Sequence, residues 1–381
     1  MTMVDRSLVA FALEQVLGHV SQAQMLKRHV PDLATFEPLF IDVNFEARGG
    51  FTESLPLPAA AQASLRARRE IRNRIMKRKP DAFVFNTQKP ALFCPEYLLT
   101  TPSVITLDVT PRQYDEMGAR YGHVPDGRGA IAWLKHRWNE WVFQRARNIF
   151  PASRWAAESL IVDYGVQPHK IRVIPPGVDV ERWRPAARGA SECVRILFVG
   201  GDFGRKGGRI LLDWFRHAPE ARSCELHIVT RSEAPAGERI HVYRAMGNNS
   251  DELVRLAQSC DIFALPTLAD CFSLASLEAM AAGLPVVVSA TGGIPDIFED
   301  GTCGFMPPPG DAVAFAAAMR RLVCDSSLRL RMGLAARARV EEAFDARTNV
   351  RELVDEVQQL LAERASAASG AARNRDERVR A

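Results

Sequence analysis

Short apolar runs of strand length alternate with helical patterns along this chain, and the series occurs twice. The first series of predicted strands covers residues 8–13, 38–43, 82–85, 104–107 and the region around Ile149. The second series covers residues 196–199, 226–229, 240–243, 262–265 and 286–289. Such alternation is typical of parallel sheets covered by helices, because each parallel strand is reached through a long crossover. The sequence therefore predicts an α/β protein with two open parallel sheets.

The chain is long enough for two domains, since 381 residues exceed what one hydrophobic core normally supports. Sequence rich in Pro and Gly separates the two series and fits an inter-domain connection. Our assignment is an N-terminal domain over residues 1–180, a linker over 181–192, a C-terminal domain over 193–345, a C-terminal helix over 346–364 and a disordered tail over 365–381.

Composition and cysteine usage narrow the class of protein. With 47% hydrophobic and 25% charged residues, the chain has the composition of an ordinary globular protein. Its 7 cysteines are scattered and never form a C-x-x-C pair, which argues against a disulfide framework and a zinc site. No apolar run approaches the length of a bilayer span, and residues 1–6 lack a signal-peptide pattern. We therefore expect a cytoplasmic protein.

Positive charge is concentrated in residues 66–79, where eight Lys and Arg side chains accompany one acid, Glu70. Two interpretations are open. This segment is either a solvated helix face or a surface that rests on anionic lipid headgroups at the inner face of the membrane. Each basic residue near such a surface contributes on the order of 1 kcal/mol. No motif that reads RNA or DNA accompanies the charge, which argues against nucleic acid as a partner.

The aromatic and histidine residues add no further site at this stage. Trp133, Trp138 and Trp141 recur at roughly helical spacing, and we expect them to pack in the core or between domains. The histidines other than His19 show no spacing that suggests a metal centre or a catalytic triad.

Two segments that directly follow predicted strands carry the strongest functional signals, because ligands of parallel sheets bind outside the carboxyl ends of the strands. In residues 270–278, Asp270 lies on a loop and Glu278 lies about a turn and a half inside the following helix. A ligand at the start of that helix can touch both carboxylates. In residues 200–208, glycines allow close approach of the backbone, and Arg205 and Lys206 offer donors to phosphate oxygens.

The glycine-rich segment lacks the residue order of a nucleotide-hydrolysing P-loop and that of a dinucleotide-binding fingerprint, so neither an ATPase nor a dehydrogenase is favoured. Together with their surroundings, both segments resemble the donor site of retaining group 1 (family 4) glycosyltransferases. The stretches that carry the resemblance are residues 174–179, 198–200, 205–208, 261–266, 270–287, 291–295 and 300–301.

The resemblance extends from about residue 148 to residue 345 and is loose over the first 100 residues. It implies the GT-B fold, in which two Rossmann-like domains with parallel sheets face each other across a cleft. It also implies that the last helix crosses back to the first domain and that the second domain holds most of a nucleoside diphosphate sugar.

The same resemblance implies roles for single residues. Glu278 accepts hydrogen bonds from the ribose hydroxyls, and Asp270 accepts them from hydroxyls of the transferred sugar. The backbone N–H groups that face the sugar and the diphosphate belong to Phe272, Ser273 and Leu274. Negative charge is favoured there because the helix macrodipole is positive at its N-terminus. Ser273 lacks the setting of a hydrolase nucleophile, and we expect it to cap the helix.

Arg205 and Lys206, with Gly200 beside them, are implied to bind the leaving diphosphate. Cations placed in advance stabilise the charge that develops on the phosphate oxygen, so we expect no metal and no other cofactor. The donor itself is a substrate, a UDP- or GDP-sugar.

Three positions depart from the family pattern. Asp270 stands where Glu is usual, which leaves the hexose open. Asp108 stands near the end of a predicted strand, where the family often has a histidine; it either orients an acceptor hydroxyl or caps the next helix. Gly18 and His19 replace a glycine-rich loop. We expect Gly18 to contact the donor, and His19 to have either a catalytic role or a core or capping role.

The sequence thus predicts a retaining glycosyltransferase of polysaccharide biosynthesis, which moves a hexose onto a glycan or a lipid-linked glycan without a metal. Two alternatives remain open. One is a sugar-nucleotide epimerase or a phosphorylase on the same scaffold, because fold alone does not determine chemistry. The other is a non-catalytic protein that binds sugar nucleotides.

Overall fold

The computed structural model describes residues 6–16, 18–44, 59–92, 94–125, 127, 129–186 and 193–380, and within them the strands form two parallel sheets. The first sheet consists of β1 (Leu8–Glu14), β2 (Glu37–Val43), β3 (Ala82–Phe85), β4 (Ser103–Leu107) and β5 (Asn148–Pro151). The second consists of β6 (Val194–Val199), β7 (Cys224–Val229), β8 (Ile240–Tyr243), β9 (Ile262–Leu265), β10 (Val286–Val288) and β11 (Gly304–Phe305). The ten predicted strands are confirmed, and the two-residue β11 was not predicted.

The strand order of each sheet creates a crevice where ligands of such folds bind. The first sheet has the order β2-β1-β3-β4-β5, and the second has β11-β10-β9-β6-β7-β8. Counted within its own domain, the second order is 3-2-1-4-5-6, that of dinucleotide-binding sheets, and the first is 2-1-3-4-5. The direction of chain crossover reverses between β1 and β3 and between β6 and β9. Loops that follow these four strands are therefore the expected ligand-binding loops.

Helices connect the strands and cover the faces of both sheets. The helices of the first domain are α1 (His19–Leu33), α2 (Ala59–Ile75), α3 (Pro95–Thr100), α4 (Pro111–Met117), α5 (Ala130–Arg145) and α6 (Arg154–Val162). Those of the remaining chain are α7 (Gly208–His217), α8 (Asp251–Ser259), α9 (Leu274–Ala281), α10 (Ala312–Cys324), α11 (Ser326–Ala343) and α12 (Ala346–Arg380).

Alternate residues of β1 face two different apolar layers, as expected for a strand whose side chains point to opposite faces. Ala10 and Ala12 pack in a cluster with buried residues of α2, α3 and α5. Val9, Phe11 and Leu13 pack in a second cluster with buried residues of α1 and α12. The first sheet is therefore covered on both faces, and α12, which follows the second domain in the chain, covers one of them.

The crossing of α12 joins the two domains. Its apolar face lies in the cluster that also contains β1, and the residues it contributes there are Val350, Leu353, Val354, Val357 and Leu360, each at most 7% exposed. Ion pairs flank this face, such as Arg172 with Glu352 at 3.2 Å. At the start of the helix, the backbone N–H of Ala346 donates to the carbonyl of Val178 at 3.0 Å.

The chain differs from expectation at its C-terminal end. Residues 365–380, expected to be a disordered tail, continue α12 as helix. Their content of Ala, Arg and Glu favours helix without a core, whereas their low apolar content argues only against burial.

Within the predicted linker, Trp183 is 1% exposed and packs in the core of the second domain. Residues 1–5, 187–192 and 381 lie outside the described part of the chain.

Helix α5 leaves two of the three tryptophans that were expected to pack exposed. Trp133 is 61% exposed and Trp138 is 40% exposed, and Ile131 and Leu134 beside them are 71% and 58% exposed. Trp141, the third, is partly buried against the core of the first domain. The helix packs through residues near its C-terminal end, Val142 and Phe143 among them, so its N-terminal half is the part that remains exposed. Among the described residues, no helix has the length and hydropathy to cross a bilayer.

Candidate functional site

Loops after β6 and β9 bring together residues that lie 64 positions apart in the sequence. Gly200 follows β6, and Lys206 lies at the end of the same glycine-rich loop. Asp270 lies on the loop that connects β9 to α9. The Lys206 ammonium forms an ion pair with the Asp270 carboxylate, and the two side chains are 15% and 8% exposed. Two of the predicted donor-site residues therefore contact each other directly.

Two glycines permit the close packing of these loops. Gly207 has a φ of +77°, and a Cβ atom there would lie 1.7 Å from the carbonyl oxygen of Pro266. Gly292 has a φ of +57°, and a Cβ atom there would lie 2.1 Å from the carbonyl oxygen of Asp270. Neither position has room for a side chain, and both have backbone angles that favour glycine. The loop around Gly292 therefore lies directly against the backbone of Asp270.

Arg205 contacts both domains. Its Nη1 donates to the carbonyl of Ala269 at 2.8 Å, and its guanidinium lies 4.2 Å from the centre of the Tyr121 ring, which belongs to the first domain. A cation over a partly desolvated aromatic ring is stabilised by about 0.5–2 kcal/mol. The Tyr121 hydroxyl lies 3.5 Å from the Cys271 Sγ atom. Burial is the main cause that raises the pKa of both Tyr121 and Cys271, so both are neutral at pH 7.

Glu278 faces a narrow pocket between the domains. The residues that line this pocket are Ser21, Met25, Gly177, Val178, Asp179, Asn249, Leu274 and Glu278. No residue in the described part of the chain donates a hydrogen bond to the Glu278 carboxyl group. Although Glu278 keeps some exposure, its carboxyl group is enclosed, and burial raises its pKa to about 8. A carboxyl group without a donor, in a pocket between two domains, is available to hydroxyl groups of a ligand.

The start of α9 closes against the first domain. The Ser273 hydroxyl accepts from the backbone N–H of Ser276 at 3.3 Å, which confirms its capping role. A Cβ atom on Gly18 would lie 3.9 Å from the Leu274 Cδ1 atom. Phe272 is 8% exposed and its ring lies 6.3 Å from that of Phe344. The first N–H groups of a helix have no partner within the helix, so this N-terminus can bind an anion.

Across the cleft, the structure brings His19 and Asp108 together. The His19 Nε2 atom lies 3.9 Å from an Asp108 carboxylate oxygen, and the side chains are 18% and 32% exposed. The helix-capping role considered for Asp108 is wrong, because Thr110 caps α4 in a capping box with Gln113. His19 is the first residue of α1 and gives no side-chain cap there. Neither side chain caps a helix, so the polar groups of His19 and Asp108 remain at the mouth of the cleft.

Sequence reasoning missed Glu14, which is buried at the end of β1, and Lys89, an exposed residue after β3 that contacts it. Glu14 is 1% exposed and accepts hydrogen bonds from the Thr87 hydroxyl at 2.6 Å and from the Lys89 ammonium at 3.2 Å. The Asn86 side chain accepts from the backbone N–H of Glu14 at 2.7 Å. The sequence signal for Glu14 was its position as the one acidic residue at the end of the otherwise apolar strand β1.

Asn249 is a second residue that sequence reasoning missed. It lines the pocket of Glu278, has a φ of +55°, and accepts a hydrogen bond from the Trp183 indole at 3.2 Å through its side chain. Backbone strain of this kind in a non-glycine residue is found preferentially at ligand sites. The sequence signal that could have identified Asn249 was its position directly before Ser250, which is the N-cap of α8.

Comparison with known proteins relates each domain to a glycosyltransferase family model. Residues 193–325 match the model described as glycosyl transferases group 1, and residues 22–182 match the model described as glycosyltransferase family 4. Among curated relatives, an MMP α-(1→4)-mannosyltransferase from Mycolicibacterium hassiacum is 29% identical over 227 residues, which are 55% of each chain. The chain thus spans about half the length of such relatives.

Solved structures share the fold over nearly the whole chain. Sucrose-phosphate synthase from Thermosynechococcus elongatus aligns with a TM-score of 0.75 at 17% identity, covering 94% of this chain and 100% of that one. Anabaena HepE in complex with UDP-glucose aligns with a TM-score of 0.64 at 17% identity, covering 92% and 99%. The predicted fold of two Rossmann-like domains with parallel sheets across a cleft, the GT-B fold, is confirmed.

The raised pKa of Glu278 predicts a defined effect of pH on the free protein. The folded state holds a proton on Glu278 that the unfolded state releases above its ordinary pKa of about 4.5, so this group lowers stability progressively as pH rises from about 5 to 8. Glu278→Gln should remove this loss, and its stability relative to wild type should increase by about 2–4 kcal/mol across that range. Urea unfolding at pH 5 and pH 8 measures the difference, and a constant difference would contradict the predicted pKa.

Proposed function

Because this chain belongs to the group 1, family 4 glycosyltransferases, we propose that it transfers a hexose, with retention of anomeric configuration, from a nucleoside diphosphate sugar to a glycan or a lipid-linked glycan. The observation that carries the proposal is the arrangement around the start of α9. There the Lys206–Asp270 ion pair, the Arg205 guanidinium and the Glu278 carboxyl group surround one helix N-terminus. These groups match the parts of a nucleotide sugar: a diphosphate, a sugar and a ribose.

Glu278 is proposed to bind the ribose. Its carboxyl group lies in the inter-domain pocket and has no hydrogen-bond donor among the residues described. Ribose offers two neighbouring hydroxyl donors, so binding would supply the partners that the carboxylate lacks. Hydrogen bonds to a charged group favour the ionised form, so donor binding should lower the pKa of Glu278. HepE binds UDP-glucose, which supports a UDP-sugar here, and a GDP-sugar is the other donor we propose.

Arg205 and Lys206 are proposed to hold the diphosphate at the N-terminus of α9. In the free protein, the Lys206 ammonium is paired with the Asp270 carboxylate, which compensates its positive charge. A diphosphate that takes over the ammonium would free the Asp270 carboxylate to accept from sugar hydroxyls. The cations and the helix N-terminus then lie where negative charge develops as the anomeric bond breaks. This arrangement supplies the electrostatic stabilisation without a metal or another cofactor.

The configuration of the anomeric carbon is retained because the acceptor hydroxyl attacks the same face of the sugar from which the phosphate departs. The bond from the anomeric carbon to the phosphate oxygen breaks, and a bond from that carbon to the acceptor oxygen forms on the same face. The proton of the acceptor hydroxyl passes to the departing phosphate. No covalent intermediate with the protein is needed. Water must be excluded during this step, and closure of the two domains around the pocket is the proposed means.

The acceptor is proposed to bind on the first domain, opposite the sugar. His19 and Asp108 lie at the mouth of the cleft, with Nε2 and carboxylate 3.9 Å apart, and are proposed to orient the attacking hydroxyl. The buried Glu14 with Lys89 and Thr87 lies at the ends of the neighbouring strands and presents one ammonium group toward solvent, 54% exposed. A polar wall of this kind suits a hydroxyl-rich glycan.

Loss of the Glu278 carboxylate should weaken donor binding. Hydrogen bonds to charged groups contribute about 1.5–3 kcal/mol, so Glu278→Ala should raise the Kd for the donor by about 10- to 100-fold. Thermal shift against UDP-, GDP- and ADP-sugars measures binding and identifies the base. Glu342→Ala, an exposed acid on α11, is the control and should bind as wild type does. An unchanged Kd in Glu278→Ala would refute the ribose role.

Loss of the Lys206 charge should depress the chemical step. Lys206→Met should lower kcat by about 10²–10³-fold, the cost of removing one group that stabilises developing charge. The assay follows release of the nucleoside diphosphate with and without acceptor, and Arg216→Met on α7 is the control. Wild-type activity should persist in excess chelator. Full activity in Lys206→Met would contradict the mechanism, and conversion of the sugar nucleotide without acceptor would indicate an epimerase.

We further propose that the first domain rests on an anionic membrane surface. Four apolar side chains in the N-terminal half of α5, Ile131, Trp133, Leu134 and Trp138, are exposed. Helix α3 contacts α5, and the Arg68 guanidinium on α2 lies 3.0 Å from the Glu96 carboxylate on α3. Helix α3 therefore lies between α2, which carries the basic residues, and α5. Tryptophan beside basic side chains suits the headgroup region, where rings are half-buried and cations meet lipid phosphate.

Replacing exposed apolar side chains of α5 by polar ones should release the protein from anionic vesicles. Burial of a Trp or Leu side chain contributes about 1.5–3 kcal/mol, so Trp133→Ser with Leu134→Ser should lower partitioning at least tenfold in flotation. The matched control is Leu330→Ser with Leu334→Ser on α11, which are 66% and 64% exposed in the second domain. Equal flotation of both double variants would refute the membrane surface, as would equal binding to neutral and anionic vesicles.

A further inference from the structure

Three residues with metal-binding side chains meet on one face of the second sheet, near its edge. Glu225 and His227 lie on β7, and His241 lies on the neighbouring strand β8. One ligand atom from each residue lies within 4.8 Å of those of the other two. Nothing in the proposed transfer reaction uses these residues, because they lie along the strands and not on the loops after β6 and β9. We propose that Glu225, His227 and His241 form a binding site for a divalent transition metal of the zinc class.

Strand register places these side chains together. His227 is paired directly with His241 across the parallel ladder of β7 and β8. Glu225 lies two residues before His227, so it points to the same face of the sheet. The imidazole rings of His227 and His241 are stacked, with centroids 4.9 Å apart. The sheet therefore presents two imidazoles and one carboxylate side by side, although 14 residues separate the histidines.

His227 is oriented as a metal ligand would be. The residue is 8% exposed, and its Nδ1 atom lies 3.1 Å from the Tyr243 hydroxyl. Its Nε2 atom is buried without a hydrogen-bond partner among the described residues and lies 3.7 Å from a Glu225 carboxylate oxygen. A hydrogen bond at one ring nitrogen that leaves the other for the metal is typical of metal-binding histidines. A metal would satisfy this otherwise unpaired buried nitrogen.

The ligand set determines the metal class. Two imidazole nitrogens and one carboxylate oxygen suit zinc, and also copper or nickel, more than calcium or magnesium. Metal–ligand distances of about 2.0–2.2 Å require the three groups to approach one another further by side-chain rotation. One positive charge opposes a cation: the Arg195 Nε atom lies 3.5 Å from Glu225 Oε2. The carboxylate has a second oxygen with which to hold the metal while it keeps this contact.

The proposed role of the metal is structural. Strand β8 has four residues and, among the strands described, pairs only with β7. An edge strand this short has few ladder hydrogen bonds. A metal held by β7 and β8 would tie this edge to the sheet, and three protein ligands leave a fourth position for water.

Titration of the untagged, full-length protein with Zn²⁺, in competition with a chromophoric chelator, tests the proposal. Wild type should bind one equivalent and gain thermal stability. His241→Gln, at a half-buried position, should lower the affinity at least 100-fold while the protein remains folded without metal. Tyr243→Phe should lower the affinity about 10- to 100-fold by removing the group that orients His227. His217→Gln, at an exposed position of α7, is the matched control and should bind as wild type does.

Cobalt distinguishes this site from binding by cysteine. Co²⁺ bound to two imidazoles and a carboxylate gives no thiolate charge-transfer band, whereas Co²⁺ bound to a cysteine gives one. Absence of saturable binding in wild type, unchanged affinity in His241→Gln, or a thiolate band at one equivalent would each overturn the proposal. These outcomes are independent of the transfer assay, because the site lies outside the groups proposed to bind the donor.

Discussion

Packing of one helix across the domain boundary is the interaction on which the rest of the molecule depends. The apolar face of α12, which includes Val354 and Val357, is buried in the same layer as β1 of the first sheet. Its first residue, Ala346, hydrogen-bonds to Val178 beside the second domain. Because burial of apolar area is the main favourable term in folding, this helix keeps the two domains together. The pocket of Glu278 is lined by residues of both domains, so it depends on their remaining side by side.

Charge compensation explains how such a site stays folded without its ligand. A buried cation or carboxylate is costly unless it has a partner. Lys206 and Asp270 are partners for each other, and Arg205 is satisfied by a backbone carbonyl and by the Tyr121 ring. Glu278 is the exception, and it avoids an unpaired charge by retaining its proton. The free protein therefore holds these groups in neutral or paired forms.

The sequence predicted the fold well because period and length are local signals, and ten of the strands follow from them. It also indicated the loops that carry Asp270 and Lys206 as candidate site loops, since both loops follow strands. Other features depend on contacts between distant segments. The register that pairs His227 with His241 cannot be read from spacing, nor can the part of α5 that remains exposed, at Trp133. The low apolar content of residues 365–380 predicted a disordered tail, although their Ala, Arg and Glu content is compatible with the helix that is present.

Close packing at Gly292 holds the backbone that carries Asp270. With no Cβ atom, this residue lies directly against the carbonyl of Asp270, and Gly293 donates to the carbonyl of Cys271 at 2.8 Å. A side chain at residue 292 would displace this backbone. If Asp270 binds the transferred sugar as proposed, its carboxylate extends from a backbone position that the neighbouring loop restrains, and the length of the side chain then determines which hydroxyl groups it can reach.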